Sequence, residues 1–124
     1  DPDKRKQLEA ITHPAIRATM RERMRENARL YPDRLTIVDV PLLYESGLAS
    51  EFDRVVVVYV PREEQLKRLM ARDKLPQEEA MKRLNAQMDI EEKRALADYV
   101  IDNGGSLDAT AQQADRLWRE LALG

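Results

Sequence analysis

Asp39 closes an apolar run that begins at Leu35, and Pro41 follows almost at once. If that run is a buried strand, its carboxylate stands at the strand's carboxyl end, where open α/β sheets bind their ligands. A carboxylate in that place is costly unless it is hydrogen-bonded or faces a cation. A plain loop-capping role fits the same residues. Farther along, Gln65, Arg68 and Arg72 fall on one face of a predicted helix. Arg68 and Arg72 repel each other unless an anion sits between them. Paired guanidinium forks suit phosphate, which they can grip in bidentate fashion. A solvated helix face accounts for the same spacing. Arg83 and Gln87 share a face of the following predicted helix, and His13 precedes Pro14, where it could reach an anion or cap a helix. The chemistry within reach of these residues is anion recognition near a carboxylate.

Composition narrows the field. The chain has 124 residues, a net charge of −2 and 35% charged residues. That length suits one domain with one core. The near balance of signs argues against a nucleic-acid binder or a membrane-surface binder, which would carry a basic excess. With no cysteine and a single histidine, thiolate chemistry, disulfides and multi-histidine metal clusters are excluded. No apolar run is long enough to span a bilayer and no signal-peptide pattern stands out, so a cytoplasmic protein is the expectation.

The elements that must hold these residues read as an alternation of strands and helices. Residues 4–11 predict a helix that Thr12-His13-Pro14 interrupts. Pro14 then opens a second helix with Ile16, Met20 and Met24 as a buried stripe and arginines on its other sides. Residues 35–40 and 55–60 are apolar on both faces and read as interior strands, each ended by a proline. Residues 62–73 predict a helix with Leu66, Leu69 and Met70 inward. Pro76 opens another that carries Met81, Leu84 and Met88 inward, and Asp89-Ile90-Glu91-Glu92 has the form of a capping box. Residues 99–101 predict a third strand, followed by a turn at Asn103-Gly104-Gly105. Ser106 caps a last helix whose stripe of Leu107, Ala111, Ala114, Trp118 and Leu121 points to the core. The pattern implies a three-layer α/β fold, a parallel sheet with helices on both sides.

The segments LEAITHPAIR, IVDVPLLYESGL, FDRVVVVYV, QLKRLMARD, RLNAQ and ADYVIDNGG occur in this order. Together they resemble dephospho-coenzyme A kinase, a family of P-loop kinase fold. Its members phosphorylate the ribose 3′-hydroxyl of dephospho-coenzyme A with ATP, which implies Mg2+ with ATP as cofactor. The resemblance covers nearly the whole chain. It places Asp39 near the metal and the transferred phosphate, in an indirect role. It places Pro41, Leu42, Leu43, Tyr44 and Glu45 against the acceptor, and His13 in a helical region, residues 1–34, that covers the acceptor. Arg68 and Arg72 become basic groups leading into a lid over about residues 65–97, one against adenine and the other at the phosphates. Arg83 and Gln87 belong to that lid, and Asn103 and Gly104 to the loop beside adenine.

One departure matters. The family opens with a strand, a G-x-x-x-x-G-K-[ST] phosphate loop and an aspartate general base, and no segment of this sequence matches them. The resemblance therefore implies a single kinase domain incomplete at its amino-terminal end and inactive alone. It also implies sheet edges through which copies could associate or exchange strands. Two other readings fit: another P-loop small-molecule kinase, or a non-catalytic coenzyme A-binding or assembly fragment. PLLYE in place of a D-G-x-P-R type segment argues against the nucleoside monophosphate kinases.

Overall fold

The computed structural model describes residues 1–123, and the side chains of residues 1–122. It divides into two compact units, Asp1–Val38 and Asp39–Gly124. The first is dominated by helix α1, Pro2–Leu30, which the Asp1 carboxylate caps by accepting from the backbone N–H of Asp3 at 3.0 Å. The break expected at Thr12-His13-Pro14 does not occur, and His13 lies inside a continuous helix. Strong helix formers on either side carry the helix through Pro14 at the cost of one backbone hydrogen bond, and Thr12 Oγ1 donates to Leu8 O instead of ending the turn. The stripe expected to be buried is not: Ile16 is exposed, and Met20 and Met24 are only half-covered.

Residues 35–40 are a second departure, because they form no strand and Ile37 is 73% exposed. A run apolar on both faces is stable as a strand only when neighbours pair with both edges and layers cover both faces. Here, among the described residues, the sheet has two strands, which pair with each other.

The second unit begins with a tight turn over residues 41–47 and a short 3-10 turn at Ala49–Glu51. Strand β1, Val56–Tyr59, follows. Its residues alternate, Val57 and Tyr59 buried and Val56 and Val58 exposed. The sequence reads as a strand covered on both faces; only one is. Helix α2, Arg62–Asp73, starts after Pro61 with Glu63 and Glu64 in its first turn and Arg72 in its last, charges that match the helix dipole. Lys74 ends it in the left-handed region, and Pro76 resets the chain for α3, Gln77–Asn85. Helix α4, Ile90–Leu96, is capped by the Asp89 carboxylate, which accepts from the N–H of Glu91 at 2.8 Å, as the capping box predicts. Strand β2, Tyr99–Asp102, then lies parallel to β1 with Val56 opposite Tyr99 and Tyr59 opposite Asp102. Parallel pairing requires a long crossover, which α2, α3 and α4 supply.

The core is small. Val57 and Tyr59 of β1 pack with Ile90 of α4, and Tyr44, Val55 and Ala97 close around them. A second buried patch, Ala80 and Leu84, lies on α3, which packs on α2. Helix α5, Leu107–Leu123, packs against β2, but in a register rotated from the expected one. Ala109, Thr110, Gln113, Leu117 and Leu121 are its partly covered residues, so only Leu121 of the expected stripe is covered, while Leu107 is exposed and Trp118 is 51% exposed rather than core. The rotation follows from Gln113. Its side-chain Oε1 accepts from the N–H of Asp102, and its Nε2 donates to Asp102 O, both at 2.8 Å. Satisfying two backbone groups at the end of β2 fixes the face that α5 turns inward. Among the described residues no helix is long and apolar enough to cross a membrane.

Candidate functional site

The carboxyl ends of β1 and β2 open into a cleft of about 560 Å³ lined by Pro61, Glu64, Asp102, Gly104, Gly105, Ala109 and Gln113. Its floor is a hydrogen-bonded loop. Asn103 donates its backbone N–H to Tyr59 O at 2.7 Å, its Oδ1 accepts from Thr110 Oγ1 at 2.8 Å, and its carbonyl accepts from Arg68 Nη2 at 3.0 Å. Asp102 Oδ1 accepts from the N–H of Gly104 at 2.8 Å, closing an Asx turn. A Cβ at Gly104 would meet that same Oδ1 at 3.1 Å, a close contact that the Asp102 side chain would have to yield to. Arg68 also bonds Glu64 Oε1 at 3.0 Å, one helical turn back. A single side chain thus ties α2 to the loop after β2.

One turn beyond Arg68, Arg72 engages the carboxylate of Asp73 through Nε at 2.9 Å and Nη2 at 3.1 Å. Arg83 on α3 donates to the same carboxylate at 2.9 Å. The Arg72 hydrogen bond lowers the Asp73 carboxyl below its ordinary range; burial opposes it, and the charges of Arg72 and Arg83 and the Arg83 hydrogen bond add to the lowering. Gln87, past the end of α3, donates its backbone N–H to Leu84 O and stands exposed.

The 41–47 segment is shaped by local bonds. Ser46, Gly47 and Leu48 donate their N–H groups back to Leu42, Tyr44 and Leu43 carbonyls, and Leu42 sits in the left-handed region at φ 59°. That conformation is costly for a branched residue without glycine's freedom. Tyr44 packs on the core, and its hydroxyl is buried with no hydrogen-bond partner among the described residues. Burial, and then the charge of Asp98, push that hydroxyl's pKa up, so it stays protonated and able to donate. Glu45 bonds Lys93 Nζ at 2.8 Å and the N–H of Met88 at 3.2 Å. Burial pushes its carboxyl up, but the Lys93 hydrogen bond, the backbone N–H bonds of Glu45 and Met88 and the Lys93 charge outweigh that and hold it below the ordinary range. The bond to Met88 ties the segment to the joint between α3 and α4.

The structure therefore joins Arg68 with Asn103 and the loop of Gly104, and Arg72 with Arg83, and gathers Tyr44 and Glu45 against α4 and its approach. Asp39 is exposed at the head of the second unit, and Pro41 is exposed beside it. His13 belongs to the first unit. Among the described residues no three His, Cys, Asp or Glu side chains cluster to hold a metal. Sequence reasoning missed Gln113, Thr110, Glu64 and Asp73. The spacing of Glu64 and Arg68 was a usable signal; the reach of Gln113 back to β2 was not.

Comparison with known proteins identifies the family. A family model described as dephospho-CoA kinase matches residues 1–109. A dephospho-CoA kinase of Anaeromyxobacter dehalogenans is 51% identical over all of this chain and 58% of its own length. One of Bacillus licheniformis is 48% identical over 93% of this chain and 57% of its own. A solved dephospho-CoA kinase from Campylobacter jejuni, 39% identical, superimposes with a TM-score of 0.73 over the whole chain and 61% of its own length. The chain thus spans somewhat more than half the length of these relatives, and it belongs to the dephospho-CoA kinase family.

Proposed function

We propose that this chain contributes the acceptor-facing loop, the lid and the adenine-side wall of an ATP-dependent kinase that phosphorylates the ribose 3′-hydroxyl of dephospho-CoA. The observation that carries the reading is the bond from Arg68 to the Asn103 carbonyl, beside a cleft at the carboxyl ends of two parallel strands. Such crevices are where open α/β sheets take nucleotides. In this reading Arg68 and Gly104 flank the base, Arg72, Arg83 and Gln87 face the phosphates, and Pro41 to Glu45 receive the acceptor. Phosphoryl transfer asks chiefly for positioning and for positive charge around the transferring group, and α2 and α3 carry that charge. Asp39 is a lone exposed carboxylate, a donor set that fits Mg2+ carried largely by the nucleotide's phosphates rather than caged by protein; the ion would neutralise phosphate charge there. Copies of the chain can also pair through the open edge of β1.

Binding rather than turnover is the direct test, because these 124 residues hold no G-x-x-x-x-G-K-[ST] sequence. ATP added to the isotope-labelled chain should shift the amide resonances of Asn103, Gly104 and Gly105, and the Arg68 side chain. Dephospho-CoA should shift residues 41–47. ATP shifts confined to other regions, or ATP shifts unchanged by Arg68→Ala, would overturn the assignment.

A further inference from the structure

Arg72 and Arg83 stand on different helices, yet both hold the carboxylate of Asp73. Two guanidiniums repel each other, so bringing them together needs a counter-charge. Asp73 supplies it from the last position of α2, where its side chain is 29% exposed against 74% for Arg72 and 53% for Arg83. The carboxylate is the covered member and the arginines are the exposed ones. Arg72 commits two N–H groups to it and Arg83 one; among the described residues most donors of both guanidiniums remain uncommitted. The cluster keeps one net positive charge and presents its donors outward. That is a prepared anion site.

We propose that Asp73 is a positioning residue that yokes Arg72 and Arg83 into one polyphosphate-binding unit across the joint between α2 and α3. The inference rests on the nucleotide reading above and adds to it the group that sets the arginines' geometry. Neutralising Asp73 has two opposed consequences. It removes a negative charge near the anion, an effect that solvent screens at so exposed a site. It also frees two long side chains whose rotamer freedom must then be lost on binding. The second effect outweighs the first, so the yoke strengthens anion binding.

The test titrates inorganic tripolyphosphate into the 124-residue chain and follows the arginine Nε–Hε resonances. In the unaltered chain Arg72 and Arg83 should respond with one shared midpoint. Asp73→Asn should weaken binding about tenfold and give the two arginines separate midpoints, while Asp73→Glu should stay within about threefold of the parent. Arg72→Gln and Arg83→Gln should be non-additive when Asp73 is present and additive in the Asp73→Asn chain. Circular dichroism checks that each variant is folded; if Asp73→Asn is not, Asp73→Glu and the additivity of the two arginine variants in the parent chain still decide. Unchanged or tighter binding by a folded Asp73→Asn chain would overturn the yoke, as would separate midpoints in the parent. A response of Arg68 and Gly104 to ATP with none at Arg72 and Arg83 overturns this inference alone. No response to ATP anywhere removes the nucleotide reading as well.

Discussion

Individual side chains divide the labour between wall and charge. Arg68 has its guanidinium committed to Glu64 and to the Asn103 carbonyl, so its contribution is to hold the cleft in shape. Arg72 is the more exposed of the two and points its remaining donors outward. A group that meets charge developing on the transferring phosphate acts more strongly in the transition state than in the ground state. In a chain that also carries a phosphate loop, Arg72→Ala should therefore lower kcat by about 10²–10³-fold, the range for losing one charge-stabilising donor, with a smaller change in KM. Steady-state kinetics with ATP and dephospho-CoA decide it; a raised KM at unchanged kcat would show that Arg72 only binds. Arg68 and Arg72 were legible in the sequence as a pair on one helical face. Their different duties were not, because those depend on Asn103 and Asp73, whose partnership with the arginines is set by tertiary contact and by rotamer.

Among the elements, the ion pair of Glu45 and Lys93 links the 41–47 turn to α4, with side-chain exposures of 19% and 16%. Because both keep a solvent-facing edge, Glu45→Gln should cost about 1–3 kcal/mol rather than the roughly 3–5 of breaking a fully buried pair. The pH dependence has a definite sign. Glu45 titrates lower in the folded chain than in the unfolded one, so its stabilisation is complete above the ordinary carboxylate range near pH 4.3. It is lost as pH falls through the lower folded value. Urea unfolding from pH 7 down to pH 3 should show the parent losing stability over that acid window and Glu45→Gln losing less; parallel acid limbs would exclude the pair as a source. The helices on either side were legible from their punctuation: Pro61, Pro76 and Asp89 mark the starts of α2, α3 and α4. Two local signals misled. Pro14 did not stop α1, since good helix formers flank it. Residues 35–40 have strand composition, and composition alone does not supply the pairing that a strand requires.

At the scale of the molecule, a parallel sheet with helices was legible in the alternation of strands and helices, but which faces are covered was not, because covering depends on partners. Val56, Val58 and Val100 are exposed on the sheet, and Leu107 and Trp118 on α5. The two sheet edges also differ. Gln113 occupies backbone groups of Asp102 at the end of β2, which blunts that strand, whereas among the described residues β1 pairs with β2 alone. An unblunted edge beside exposed β-branched side chains is a template for another strand. Covering Val56 and Val58 would contribute about 1 kcal/mol each, at roughly 25 cal/mol per Å², in addition to the backbone bonds of the new ladder. Isologous pairing of two β1 edges meets both needs with identical chains. The 124-residue chain should therefore sediment as a dimer or larger species at micromolar concentration, with Trp118 fluorescence still that of a solvent-exposed indole if α5 stays outside the contact. Val58→Lys places a charge on the bare face beside the edge and should return the chain to a monomer without unfolding it. A parent chain that sediments as a cooperatively unfolding monomer would show that the open edge of β1 is tolerated by itself. Association unaffected by Val58→Lys would place the contact elsewhere on the molecule.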